Sequence, residues 1–347
     1  ALLVLAGPAR AQHQLEDPQL FVTAGTCMAC HNGLVSPEGM DISIGSNWRG
    51  SMMANSARDP YWQAAVKRET MDHPDAAVAI QNECSKCHMP MARFQAHAQG
   101  RAFESFGKLP WRPGDGTSPQ VRALAADGVS CTLCHQIQAE GLGEESTFVG
   151  EFNVDTGTPL GQRKVFGPYD IPQGADRAML SSGRFQPTQG AHIRESGLCA
   201  SCHTLFTHAR NGAGEVIGEL PEQVPYLEWL HSDYRNEQSC QSCHMPRVAG
   251  ETPISSVLAT PRPDVRQHVF RGGNFLVPRM LNLYRGELAV TALPAELDAM
   301  IQATERFLST RTARVEVGAP SLDAEGLGFD VAVTSLAGHK LPTAYPS

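Results

Sequence analysis

The 347-residue chain has ten cysteines, and all ten fall into five copies of one pattern, Cys-x-x-Cys-His. The copies are CMACH (Cys27, Cys30, His31), CSKCH (Cys84, Cys87, His88), CTLCH (Cys131, Cys134, His135), CASCH (Cys199, Cys202, His203) and CQSCH (Cys240, Cys243, His244). Residues three apart on a helical turn share a face, so both sulfurs can reach one edge of a porphyrin. Each can form a thioether with a vinyl group there, and the adjoining histidine reaches the iron as proximal ligand. This is the attachment signature of c-type haem, and it predicts five covalently attached haem c groups.

Other chemistries use the same residues less well. Tetrahedral zinc needs four ligands, whereas each contiguous motif supplies three groups and no separate pair completes a site. Disulfides suit an exported chain with an even cysteine count, but they do not require a histidine after every second cysteine. A redox-active Cys-x-x-Cys is expected once, near a βαβ pattern, and no such pattern is visible.

With five histidines proximal, eight of the thirteen remain for the sixth coordination positions: His13, His73, His97, His192, His208, His231, His268 and His339. Ligation of every iron on both faces would suit electron transfer, because a six-coordinate haem binds no substrate. His192 precedes Cys199 by seven residues, and His268 in QHVFRGGNF adjoins a glycine pair where backbone can approach a flat cofactor. His231 in EWLHSDY leads into the fifth motif. His339 lies in the turn GHKLPTAYPS, where a distal ligand or an exposed histidine would both fit. His73 abuts a helix-starting proline, so helix capping competes with ligation there. His97 and His208 follow their motifs closely and are weaker candidates, and His13 lies beside a presumed cleavage site. Met53 in SMMANSARDPYW is a further distal candidate, against ordinary core packing. Met89 and Met245 directly follow proximal histidines and read as packing beside the haem.

The elements that must hold these groups are short. Proline marks helix starts at Pro60, Pro74, Pro119 and Pro225. Residues 138 to 190 are glycine-rich and read as loop with short strands. Leu297, Met300, Ile301, Thr304 and Leu308 follow helical spacing behind Pro294, and RVEVG and FDVAV then alternate as half-buried strands do. The expected fold is mainly α with long irregular loops, a multihaem domain packed around five haems, then the start of a β-rich, sandwich-like domain. Its divisions are a signal-peptide remnant (1–11), a pentahaem cytochrome domain (12–285), a linker helix (286–311) and the first β-rich residues (312–347) of what reads as a fragment.

Composition agrees with this. Aromatic residues are 7% of the chain, and buried porphyrins would supply the missing apolar surface. A formal charge of −8 with no basic run argues against nucleic acid. The opening ALLVLAGPARA looks like the end of a secretory signal, with a short buried helix as the alternative. No later stretch reaches the roughly 18 apolar residues of a membrane span.

The segments WRGSMMANSARDP, NECSKCHMPM, DGVSCTLCHQI, SGLCASCHTL, YLEWLHSDYRNEQSCQSCHMP, HVFRGGN and GHKLPTAYP carry a resemblance. Over roughly residues 45 to 345, and weakly in the glycine-rich middle, the chain resembles exported multihaem cytochromes c. These are related to the tetrahaem electron carrier of ammonia oxidisers, with hydroxylamine oxidoreductase more distant. Relatives often carry His where Met53 stands, so the resemblance implies Met53 as a substitute ligand. It also implies His192, His268 and His339 as distal ligands, and closely packed haem pairs. The function expected is electron relay in the periplasm or at the outer surface, between redox proteins or quinol-linked donors and terminal reductases. Two alternatives are a multihaem oxidoreductase acting on a small nitrogen or sulfur compound, and a subunit of a conductive filament or membrane redox complex.

Overall fold

A computed structural model describes residues 19–109 and 117–344. Residues 1–11, where a leader is expected, and His13 lie outside them. Helix accounts for 40% and strand for 14%, a mixed composition. Each proline start is occupied: Asp59 caps Pro60–Asp72 by accepting from the Tyr61 and Trp62 amides, and Ser118 caps Pro119–Ala126 through the Val121 amide. Pro74 begins a single 3₁₀ turn that feeds the helix Ala77–His88. Pro225–Leu230 and the 18-residue Pro294–Arg311 complete the set. Among the described residues no helix is long and apolar enough to cross a membrane.

The main core joins distant parts of the chain. Leu20 and Phe21 pack with Trp62, Val66, Met89, Met91, Phe103, Leu124, Leu133 and Phe152, and Cys84 and Cys202 lie against the same cluster. A second, smaller core forms where Val277 and Leu281 meet Leu297. The segment WRGS docks on the long helix: Gly50 presses against the Glu296 backbone, and Arg49 Nε donates to Glu296 Oε2 at 2.8 Å.

Two elements differ from the sequence expectation. The glycine-rich stretch contains a helix, Ala175–Gly183, bracketed by left-handed Gly174 and Arg184. It also carries the parallel pair Lys164–Gly167 and Gln186–Gln189. The strands Ala313–Val317 and Val331–Ser335 form, but they are exposed rather than half-buried. They pair only with each other, so the face carrying Val315, Val317, Val331 and Val333 has nothing packed on it among the described residues.

Gly128 ties this frame to the third motif. Its φ is +62°, and a Cβ there would meet the Met53 carbonyl at 2.6 Å and Ser56 Oγ at 2.7 Å. Val129 then donates to the same Met53 carbonyl. Gly128→Ala should therefore lower unfolding stability by about 2–3 kcal/mol through combined strain and overlap. Urea denaturation followed by circular dichroism tests this, and a loss under about 0.5 kcal/mol, ordinary for a surface change, would contradict it.

Candidate functional site

The five motifs are set on short helices or at their ends. Cys27 closes the helix Ala24–Met28, and CSKCH forms the last turn of Ala77–His88. The third motif is the helix Cys131–Cys134 itself, the fourth begins in Ser196–Ala200, and the fifth is Cys240–His244 behind a Ser239 capping box. None of the ten cysteines is paired in a disulfide. Among the described residues no three His, Cys, Asp or Glu side chains gather as a tetrahedral metal site requires.

The histidines that end four motifs are fixed in the same way. Nδ1 of His31 bonds the Ile254 carbonyl at 2.7 Å, that of His88 the Ser56 carbonyl at 3.1 Å, that of His135 the Phe166 carbonyl at 2.5 Å, and that of His244 the Arg271 carbonyl at 2.6 Å. A carbonyl only accepts, so Nδ1 carries the proton and Nε2 keeps its lone pair for a metal. His88 is held most fully: Ser56 Oγ donates back to its carbonyl, and the Trp62 indole stacks on its ring at 4.4 Å and 4°.

Two of these rings face a second imidazole. His135 and His268 have ring centres 6.4 Å apart and planes 20° apart, and His244 and His339 are separated by 6.3 Å and 17°. A metal–imidazole bond of about 2.0–2.1 Å plus about 1.1 Å from nitrogen to ring centre puts two axial histidines on one iron about 6.2–6.4 Å apart. The separation of each pair is the one that two histidines holding a single iron would have. His268 is steadied by Nδ1 on the Arg266 carbonyl and by Phe270, perpendicular at 5.7 Å.

His339 reaches its place because its turn is docked on the helix before the fifth motif. Glu228 accepts from the Lys340 amide at 3.0 Å and from the Thr343 hydroxyl, and Gly338 packs on Trp229 and Tyr234. The Leu341–Pro342 bond in this turn is cis.

The other predicted ligands are not brought to such positions. His192 is buried, but its Nε2 bonds the Ile137 carbonyl at 2.9 Å, its ring lies across Phe166, and Gly190 crowds Cε1 and Nδ1. His231 is exposed and bonds back to the Leu227 carbonyl of its own helix, leaving Nε2 uncommitted. His73 makes no side-chain cap, and its Nδ1 is buried without a partner. His97 and His208 are exposed, the latter on the strand Leu205–Arg210. Met53 is half-buried beside the third motif. Among the described residues His31, His88 and His203 face no second imidazole at the paired separation.

Burial dominates the electrostatics. Desolvation lowers His88 to about 4 and His268 to about 3, so these rings are neutral and able to ligate. Burial also pushes the Cys84 thiol up to about 12 and Cys134 up to about 11, while the hydrogen bond from the Cys199 thiol brings Cys240 down to about 7.

No family model, curated protein or solved structure matches this chain.

Proposed function

We propose that the chain is an exported pentahaem c-type cytochrome that relays single electrons between redox partners. Cys27/Cys30, Cys84/Cys87, Cys131/Cys134, Cys199/Cys202 and Cys240/Cys243 would bind the haems, with His31, His88, His135, His203 and His244 as proximal ligands. The observation that carries this reading is the pairing of His135 with His268 and of His244 with His339 at the separation of two axial imidazoles. Such ligation closes an iron to substrates and favours electron transfer. The resemblance to multihaem cytochromes c points the same way, and with the apolar opening segment it supports a location outside the cytoplasm. Redox proteins or quinol-linked donors and terminal reductases are the partners it would serve.

The test is the protein purified from a host that matures cytochromes c. Pyridine haemochrome analysis should return five haems per chain, with low-spin spectra for the third and fifth. A chain carrying no covalent haem would end the proposal. A second reading, an oxidoreductase for a small nitrogen or sulfur compound, draws on His31, His88 and His203, which face no second imidazole among the described residues. Turnover of nitrite, hydroxylamine or sulfite at an open iron would favour it over the carrier.

A further inference from the structure

Cysteines of different motifs lie close together in a pattern. Cys27 neighbours Cys131, Cys87 neighbours Cys202, and Cys199 neighbours Cys240. Cys134 lies within electrostatic range of both Cys199 and Cys202. The backbone supports each contact independently. Motifs one and three are joined by Ala24 donating to Asp127 at 2.8 Å and by Thr132 Oγ1 donating to the Val22 carbonyl at 2.7 Å.

Motifs two and four are stitched together by residues 149–151. Val149 and Gly150 are both left-handed, at φ 57° and 73°. Their amides donate to the Thr204 and Ser201 carbonyls at the fourth motif, and Gly150 packs on Lys86 inside the second, where a Cβ would come within 2.9 Å of Lys86 Cβ. Lys86 in turn pairs with Glu151 at 2.6 Å. Motifs four and five are joined by the Cys240 amide on Ser196 Oγ at 3.1 Å and by Gln241 Nε2 on the Glu195 carbonyl at 2.8 Å. Motifs three and four meet in the main core, where Leu133 belongs to the cluster that Leu198 and Cys202 pack against.

We infer that the fourth attachment site is a three-way junction, with the haem at CASCH adjoining those of the second, third and fifth motifs, and the first reached only through the third. The inference rests on the haem reading above. Each cysteine would bond the rim of its own porphyrin, so closeness between cysteines of two motifs would bring two rims together. The order along the chain is thus not the order in space. In each hop one iron is oxidised by one electron and its neighbour is reduced by one, with no bond broken. Electrons enter from a one-electron donor and leave to a one-electron acceptor. On this arrangement the sites at motifs one, two and five would exchange electrons through the fourth, so two donors could feed one acceptor.

The test compares haem-deletion variants of the full chain by spectroelectrochemical titration, since a charged neighbour shifts a haem's potential. Cys240→Ser/Cys243→Ser should shift one of the four remaining haems, and Cys199→Ser/Cys202→Ser should shift three. Equal numbers from the two variants would overturn the junction. If the second variant does not fold, iron positions in the haem-loaded wild-type protein decide. The fourth iron should have three near neighbours, the fifth among them, and a fifth haem nearest to any other would overturn the inference. Haem counts on the same samples separate this outcome from failure of the haem reading: five haems in another arrangement defeat only the junction.

Discussion

Replacing His268 with alanine should turn one iron in five from low to high spin and move its potential by on the order of 0.1 V, because axial ligands set haem potentials over a wide range. The other four should keep their potentials to within the smaller shifts of charged neighbours. The reasoning is geometric: His268 stands 6.4 Å from His135 with nearly parallel planes. His339→Ala should do the same at the fifth haem, for which His244, 6.3 Å from His339, is the proposed proximal ligand. His339→Met should restore low-spin iron at a higher potential, as a thioether ligand raises it. Glu228→Ala separates positioning from ligation, since Glu228 holds the turn and touches no imidazole. It should give a mixture of spin states at the fifth haem and leave the third untouched. Unchanged spectra in both His→Ala variants would remove the observation on which the functional proposal rests.

Acid should destabilise the fold well above the carboxylate range. His88 and His268 are half-buried, and desolvation lowers them to about 4 and about 3, against 6.5 in an unfolded chain. Below 6.5 the unfolded state takes up protons that the folded state refuses. The contribution of these rings is therefore whole above pH 6.5 and is lost as pH falls toward their folded values. At pH 5 the loss approaches about 2 kcal/mol for each ring. Iron ligation would act in the same direction, because a bound Nε2 has no lone pair for a proton. Asp59 and Asp127, raised by burial, work oppositely, but mainly nearer ordinary carboxylate values. Urea unfolding at pH 7 and pH 5 should show a marked fall in stability, reduced by His88→Gln. A stability that is flat or rises between these pH values would contradict the assignment.

What the sequence made legible was chemistry tied to fixed spacing. Thioether attachment requires Cys-x-x-Cys-His as a contiguous unit, so the five motifs stand out whatever the fold. Proline at Pro60, Pro119, Pro225 and Pro294 marks helix starts because its φ and missing amide suit a first turn. Pairings across the chain were less legible. His268 meets His135 from 133 positions away through the path of the backbone, and no local pattern records that path. His192 looked equally placed, but the Ile137 carbonyl occupies its Nε2. The acceptors that orient the proximal rings, at Ser56, Phe166, Ile254 and Arg271, are main-chain oxygens and leave no side-chain signal. Trp62 could have been suspected from its aromatic type alone, though not its stacking on His88. The helix Ala175–Gly183 hid because Ser181, Ser182 and Gly183, poor helix formers, make up its last turn and none of its residues is buried.

The neighbouring cysteines also bear on how such a chain must be made. In an oxidising compartment, a polypeptide that folded before maturation would hold Cys27 against Cys131, Cys87 against Cys202 and Cys199 against Cys240. Oxidation would then cross-link one motif to another, and the burial that raises Cys134 and Cys84 would slow their reaction with a vinyl group. On the proposed haem reading, insertion would have to precede compaction, and the assembly machinery would meet the chain while it is still extended.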